Sequence, residues 1–410
     1  MRVVIVAPFA VYPKGTVGVR ILPIAKTLVR RGHEVAIVIP PYDNPSHSGV
    51  EYEIDGVKIC NIVFRDVKVI KYVLTPLKIV GKIFSFKPDA VYVFKPKGYS
   101  GLVAMLLAAV KRLGFMKGFK VVLDADDWEG YGGFNDYYLA HSAYPKVMLD
   151  FFDFQERWIP RRVAAITVAS KTLEERFLQW GVSPSKVFYV PNGASSRKSD
   201  VNFKDVVALK KKLNLEDTPV ILLYTRFFEY KVEKVVEVLK SVREELGNVM
   251  LLVVGRSEFG EEEELKDSVT REELGDSVVF AGWIQPADLP EYLAVGDVAI
   301  YPFDDTTLNR AKCPGKLVEL MVAGKAIVAD RVGQIAEYIE DGKSGILVNP
   351  NDVEMFALNV VKILRDNILR KMLCENAQKR ILGVFDWNVL MPKVEQALFQ
   401  GFTAAKMKGV

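Results

Sequence analysis

Short apolar runs alternate with longer amphipathic segments along the whole chain. In the first half, residues 3–7, 34–39, 89–94, 120–123 and 164–168 are β-branched or apolar runs, the composition of strands buried on both faces. Amphipathic segments at 19–31, 101–113 and 171–180 separate them. A second set of apolar runs follows at 220–224, 249–254, 278–280, 298–301, 326–328 and 345–348. Such alternation predicts βαβ units on parallel sheets. The break lies at 191–200, a polar stretch punctuated by Asn192-Gly193 that reads as a linker. The expected architecture is α/β, with two doubly wound Rossmann-like domains, 1–195 and 196–384, facing across a cleft where a ligand would sit. The closing segment opens with an aromatic-led helix over 385–399, which Pro392 should kink.

Composition narrows the classes. A chain of 410 residues exceeds what one core usually holds, and 50% hydrophobic residues suffice for two. A net charge of +4 is too mild to imply nucleic acid. Cys60, Cys313 and Cys374 are few and widely spaced, which fits a reducing cytosol better than a disulfide framework or a zinc site. Met1-Arg-Val-Val-Ile-Val leads straight into a strand, so no signal peptide is expected. The longest apolar run, 101–110, is too short for a bilayer and reads as a buried helix.

Candidate chemistry gathers in the second half. Pro314-Gly315 forms a turn whose backbone N–H groups open a helix, a seat for an anion. Glu319 follows one turn in, Gly324 suits a left-handed cap, and 325–329 reads as a buried strand. A carboxylate so close to a phosphate-binding helix end makes sense if it reaches sideways to ribose hydroxyls. It serves equally as a surface Glu on an ordinary βα unit. Upstream, the strand 222–225 ends in Arg226, with Lys231 five residues on. A lone Arg and Lys there are solvated surface charges unless a polyanion sits between them.

With these motifs in order, the chain resembles, end to end, a GT-B glycosyltransferase of the retaining family 4 type. The resemblance implies a sugar moved from a nucleotide-diphosphate sugar to an acceptor with retention, by front-face attack assisted by the leaving phosphate. It implies that Arg226 and Lys231 stabilise that diphosphate as charge develops. It places Gly255, in Val253-Val-Gly-Arg256, over the nucleotide, and Trp283 and Ile284, in Phe280-Ala-Gly-Trp-Ile284, against the base. Cys313, Pro314, Gly315, Lys316 and Leu317 would line the donor, and Glu319 would hold its ribose. Gly15 and Gly18, in Lys14-Gly-Thr-Val-Gly18, match the glycine loop before the first helix, although a plain structural turn explains them as well. The segment 385–410 matches a terminal helix crossing back onto the first domain. No cofactor and no metal are implied; the partners are a nucleotide-sugar donor and an acceptor, lipid-linked or glycan among the candidates, that the sequence leaves open among lipid, glycan, protein and small molecule. The location implied is cytoplasmic.

The chain also departs from that pattern. Where the family often has a His-Asp pair, this chain reads Leu123-Asp-Ala-Asp-Asp-Trp-Glu-Gly130, so Asp127 matches the Asp and Asp126 stands in place of His. Asp127 is expected to contact the donor sugar or polarise the acceptor. Asp124, Asp126 and Asp127 end a strand together, where a divalent cation is conceivable, yet the resemblance argues against one. Ala311 stands where an acid eight residues before Glu319 would be. His33 reads as structural, His47 as a loop residue, and His141, after Tyr137-Tyr138, as a surface residue or one lining an acceptor channel. These departures keep open a non-catalytic nucleotide-sugar-binding protein, and less strongly an epimerase of the same fold. Lysines mixed with apolar residues over Lys68–Lys87 can lie on an anionic membrane, the inner face of the cell membrane, or border a core helix with their stems.

Overall fold

A computed structural model of the chain describes residues 1–12, 15–67, 69–114, 118–141, 144–195 and 201–400. Residues 196–200 of the expected linker, Lys68 and the last ten residues of the expected crossing segment lie outside the described residues. The chain forms two units. One holds Met1–Gly193, Ala311–Cys313 and the chain from Trp387 onward; the other holds Ala194–Arg310 and Pro314–Asp386.

The first unit is built on an eight-stranded sheet of β1 (Arg2–Val6), β2 (Glu34–Ile39), β3 (Glu51–Ile54), β4 (Val57–Asn61), β5 (Ala90–Phe94), β6 (Lys120–Ala125), β7 (Ala165–Val168) and β8 (Val187–Tyr189). Its order is β3-β4-β2-β1-β5-β6-β7-β8, and every pairing except β3 with β4 is parallel. Winding starts at β1 and runs outward both ways, so the switch point lies between β1 and β5. The central strands are buried on both faces, as their continuous Val/Ile/Leu runs require.

Three strands of this sheet go beyond the sequence expectation. β3 and β4 form an edge hairpin turning at Asp55-Gly56, both at positive φ, the geometry of a two-residue primed turn. The third, β8, is a short strand at the opposite edge. The last described helix, Trp387–Phe399, belongs to this unit and passes through Pro392 unbroken. Trp387, Leu390, Met391, Val394, Ala397 and Leu398 join the core of β1 and the helix Leu22–Arg30. Arg31 grips Glu395 through two hydrogen bonds of 2.7 Å, and buried His33 meets the same carboxylate at 3.2 Å. His33 is therefore structural, as expected.

The second unit has six parallel strands: β9 (Val220–Thr225), β10 (Met250–Gly255), β11 (Val278–Gly282), β12 (Val298–Tyr301), β13 (Ile327–Asp330) and β14 (Ile346–Val348). The order β11-β10-β9-β12-β13-β14 puts its switch point between β9 and β12. Helices Val232–Leu246 and Val353–Arg365 pack on one face through an apolar cluster that includes Val235, Leu239, Phe356 and Val360. The strand expected at 325–329 begins two residues later. Lys325 stays outside it, its ammonium donating to the carbonyls of Ala294 and Gly296 at 3.1 and 2.8 Å.

Candidate active site

The second unit carries most of the expected donor residues, several of them at the strand ends around its switch point. β9 ends in Tyr224-Thr225, after which the backbone turns sharply. Phe227 is fully buried and takes φ 74°, a left-handed conformation costly for a bulky residue and kept only where packing imposes it. Its N–H donates to Thr225 Oγ1 at 2.8 Å. Buried Tyr230 anchors the far side of the turn. With Phe227 and Tyr230 held in the core, Arg226 and Lys231 both face outward as exposed cations, Lys231 at the N-cap position of the helix Val232–Leu246. Glu258 lies 3.6 Å from Arg226, and both side chains are exposed, so the pair contributes little.

β10 ends at Gly255, whose φ is 142°; an added Cβ would lie 2.0 Å from the Thr225 carbonyl oxygen. Only glycine lets β10 end so close to the turn that carries Arg226. Across the switch point the loop after β12 is fastened from beneath. Asp330, at the end of β13, accepts from the Phe303 N–H at 2.7 Å and pairs with buried Lys234 at 2.6 and 2.7 Å. Burial pushes the Asp330 carboxyl up to about 6, against the pull of Lys234. A small hollow between the two strand ends is lined by Tyr224, Thr225, Tyr301, Phe303 and Lys316, among others.

Lys316 comes from the helix Gly315–Val322, which opens at Pro314 without a side-chain cap and has no acid in its first turn. Those two features leave its N-terminus suited to an anion. Gly324 closes the helix at φ 65°, the left-handed cap expected of it. Glu319 is half-buried, and burial raises its pKa despite the nearby Lys316 ammonium. Tyr224 Oη donates to Glu319 Oε2 at 2.8 Å, and Lys316 Nζ stands 3.4 Å from the centre of the Tyr224 ring. Leu317 is wholly buried, so only its backbone can face a ligand. Trp283 is exposed and Ile284 half-buried after β11, with Gly282 at φ 68° between strand and indole.

The first unit holds a separate network that the sequence disclosed only in part. Asp124, Asp126 and Asp127 do not act as one cluster. Asp124 is fully buried and takes a two-pronged bond from Arg20 at 2.6 and 2.7 Å. Arg20, on the π-helical turn Val17–Ile21, reaches further to Asn192 Oδ1 at 3.1 Å and the Val190 carbonyl at 3.0 Å. Asn192 in turn donates to the Cys313 carbonyl at 2.7 Å, and its N–H reaches the Cys313 sulfur at 3.1 Å. The Cys313 carbonyl expected to face the donor is thus engaged inside the first unit.

Asp126, Asp127 and Glu129 surround a different partner. Lys95, just past β5 at φ 64°, places its ammonium 2.7, 2.5 and 3.1 Å from one oxygen of each, and Lys97 adds a 2.6 Å contact to Glu129. Burial pushes Asp126 up to about 7. Burial also works against ionising Asp127 and Glu129, but Lys95, then Lys97, outweighs it and holds both below the usual carboxylate range. The three acids offer oxygens within 4.8 Å of one another, a metal-like spacing, but the Lys95 ammonium already sits among them. Among the described residues nothing lies within 4 Å of where a Cβ would stand on Gly15 or Gly18, and neither has positive φ, so the described packing does not demand glycine at either. Ala311, where an acid was looked for, is fully buried in the first unit's core and its carbonyl accepts from Ser170. A longer acidic side chain there would have to displace that packing.

Two family models match consecutive parts of the chain: a glycosyl transferase 4-like domain over residues 15–193 and glycosyl transferases group 1 over 206–380. Together they take in the whole second sheet and all of the first except β1. The chain belongs to the GT-B group 1 glycosyltransferases. The lipopolysaccharide 1,2-N-acetylglucosaminetransferase of Salmonella typhimurium is 26% identical over 63% of this chain and 68% of its own length. The sulfoquinovosyl transferase SQD2 of Arabidopsis thaliana is 25% identical over 88% of this chain and 66% of its own. Among solved structures, the Anabaena HepE protein in complex with UDP-glucose superposes with a TM-score of 0.69 at 18% identity, covering 97% of this chain and 99% of that one. That likeness shows the fold. In this glycosyltransferase, sequence reasoning missed Tyr224, Asp330, Lys234, Arg20 and Lys95. Arg20 left one readable signal, a charge set among the apolar positions of the first helical segment.

Proposed function

We propose that this glycosyltransferase moves a sugar from a nucleotide-diphosphate sugar to an acceptor with retention of configuration, its second unit holding the donor. One observation carries the reading. The turn after β9 is pinned by buried Phe227 and Tyr230 so that Arg226 and Lys231 both face outward at the switch point. Cleaving the glycosyl–phosphate bond drives negative charge onto the leaving diphosphate, and fixed cations stabilise it without a metal. The open N-terminus of the helix Gly315–Val322 adds its dipole to the same charge. Glu319 takes the ribose, Trp283 and Ile284 flank the base, and Gly15 and Gly18 leave room for substrate to approach the backbone. UDP-glucose in HepE makes a uridine nucleotide the first donor to try.

The first unit serves the acceptor, with the half-buried Asp127 edge of the Lys95 cluster as its polar floor. A membrane-held acceptor draws support from the helix Lys71–Ser85, where Tyr72, Val73, Leu74 and Leu77 are exposed. Lys71 and Lys82 there are spent on Asp66 and Glu51, so such contact would be apolar more than electrostatic. Among the described residues no helix is long and apolar enough to cross a membrane.

A second reading, nucleotide-sugar binding without transfer, is favoured by the Lys95 ammonium tying up Asp126 and Asp127. Calorimetric titration with UDP, GDP and ADP, followed by product analysis with the matching sugar conjugates, separates the two. Transferred sugar whose anomeric proton coupling matches the donor's supports retention; a bound but intact donor supports the second reading. Arg226→Ala should lower turnover by roughly a hundredfold, and unchanged turnover would remove the diphosphate assignment.

A further inference from the structure

We propose that Tyr224 is a positioning residue that aims Glu319 at the donor's ribose, so that selectivity for a ribonucleotide over its 2′-deoxy form depends on the Tyr224 hydroxyl. The proposal deepens the donor reading above and rests on its assignment of Glu319.

Glu319 stands in the second turn of its helix on a long side chain, half-buried. Unsupported, such a carboxylate would spread over several rotamers and drift toward its neutral form. Tyr224 limits the first and, with Lys316, opposes the second. Its ring is almost wholly buried at the end of β9, and its hydroxyl donates to Glu319 Oε2 at 2.8 Å. Burial, and then the Glu319 charge, raise the phenol's pKa far above its usual value, so it remains a donor at any working pH. The Lys316 ammonium sits 3.4 Å over the same ring. Lys316 and Glu319 lie three residues apart on one helix face, and a single strand residue therefore orients both. With Oε2 engaged, Oε1 remains for the ribose hydroxyls.

The test is calorimetric, using whichever of UDP, GDP and ADP binds tightest, together with its 2′-deoxy form. Wild type should favour the ribonucleotide by tens of fold, the range for a hydrogen bond to a charged acceptor. Tyr224→Phe keeps the ring and its lysine contact, yet should cut that preference roughly tenfold, mainly through weaker ribonucleotide binding. Because the readout is a ratio of two dissociation constants, a partly unfolded sample does not distort it. Glu319→Gln should abolish the preference, and adding Tyr224→Phe to it should change nothing more. If Glu319→Gln lowers the preference but Tyr224→Phe does not, or if the two effects add, the role of Tyr224 is wrong and the donor reading stands. If Glu319→Gln leaves the preference intact, or no nucleotide binds wild type, the ribose reading falls and this inference with it.

Discussion

Lys95 is the side chain on which most local charge depends. Its ammonium contacts three carboxylates while nearly buried itself, and the left-handed backbone that aims it is a strained choice for a lysine. Lys95→Met should strand Asp126 and Asp127, leave Glu129 with Lys97 as its remaining cation, and cost about 3–5 kcal/mol, the usual penalty for breaking a buried ion pair from one side. Urea unfolding measures the loss. The deficit should shrink toward acidic pH as the stranded acids take up protons, and a pH-independent deficit would mean the lysine acts by packing alone. The family resemblance named Arg226, Lys231, Glu319 and Asp127 as candidates, because each falls in a short local motif that it matches. Their partners were invisible. Tyr224 and Glu319 are separated by 95 positions, and Arg20 and Asp124 by 104, distances over which no sequence periodicity operates.

Among elements, the β9–β10 edge shows how a strand end sets a site. Gly255→Ala would push a methyl into the Thr225 carbonyl, 2.0 Å away, from a backbone angle that side chains rarely adopt. The expected cost is about 2 kcal/mol or more. Since Thr225 directly precedes Arg226, nucleotide affinity should fall along with stability; a variant that melts earlier yet binds as tightly would uncouple the turn from the donor. Long apolar runs placed ten of the fourteen strands directly, and 326–328 to within two residues of β13. The β3–β4 hairpin escaped because charged Glu51, Glu53 and Lys58 interrupt its apolar positions. Its signal was an alternation around Asp55-Gly56 rather than an unbroken run. Short β8 sits at an edge with every residue half-buried, which leaves little apolar bias to read.

For the molecule as a whole, buried acids shape the response to pH. Glu156 accepts from the N–H groups of Glu129 and Gly130 and from Arg176 at 2.9–3.0 Å, yet burial pushes its pKa up to about 7. The folded state thus holds this proton more tightly than the unfolded chain does. The stability it contributes is complete at acidic pH and is lost as pH rises from about 4.5 to about 7. Asp126 adds a loss of the same sign. Glu156→Gln should flatten the stability–pH curve over that window relative to wild type, by on the order of 1–3 kcal/mol. Parallel curves would mean that Glu156 stays ionised throughout.

The sequence by itself determined that two α/β units follow one another, where most of their strands run, and which local motifs are candidates for the donor. Those properties are written at spacings of two to five residues, where hydrophobic period and turn chemistry act directly. Only the tertiary structure decided that Ala311–Cys313 join the first unit, and it placed there the closing helix Trp387–Phe399 that the family resemblance had implied. It alone split Asp124 from Asp126 and Asp127, and it alone set Tyr224 behind Glu319. Burial makes such choices, because removing water strengthens every charge–charge contact and penalises every unpaired one, and burial is a property of the folded chain.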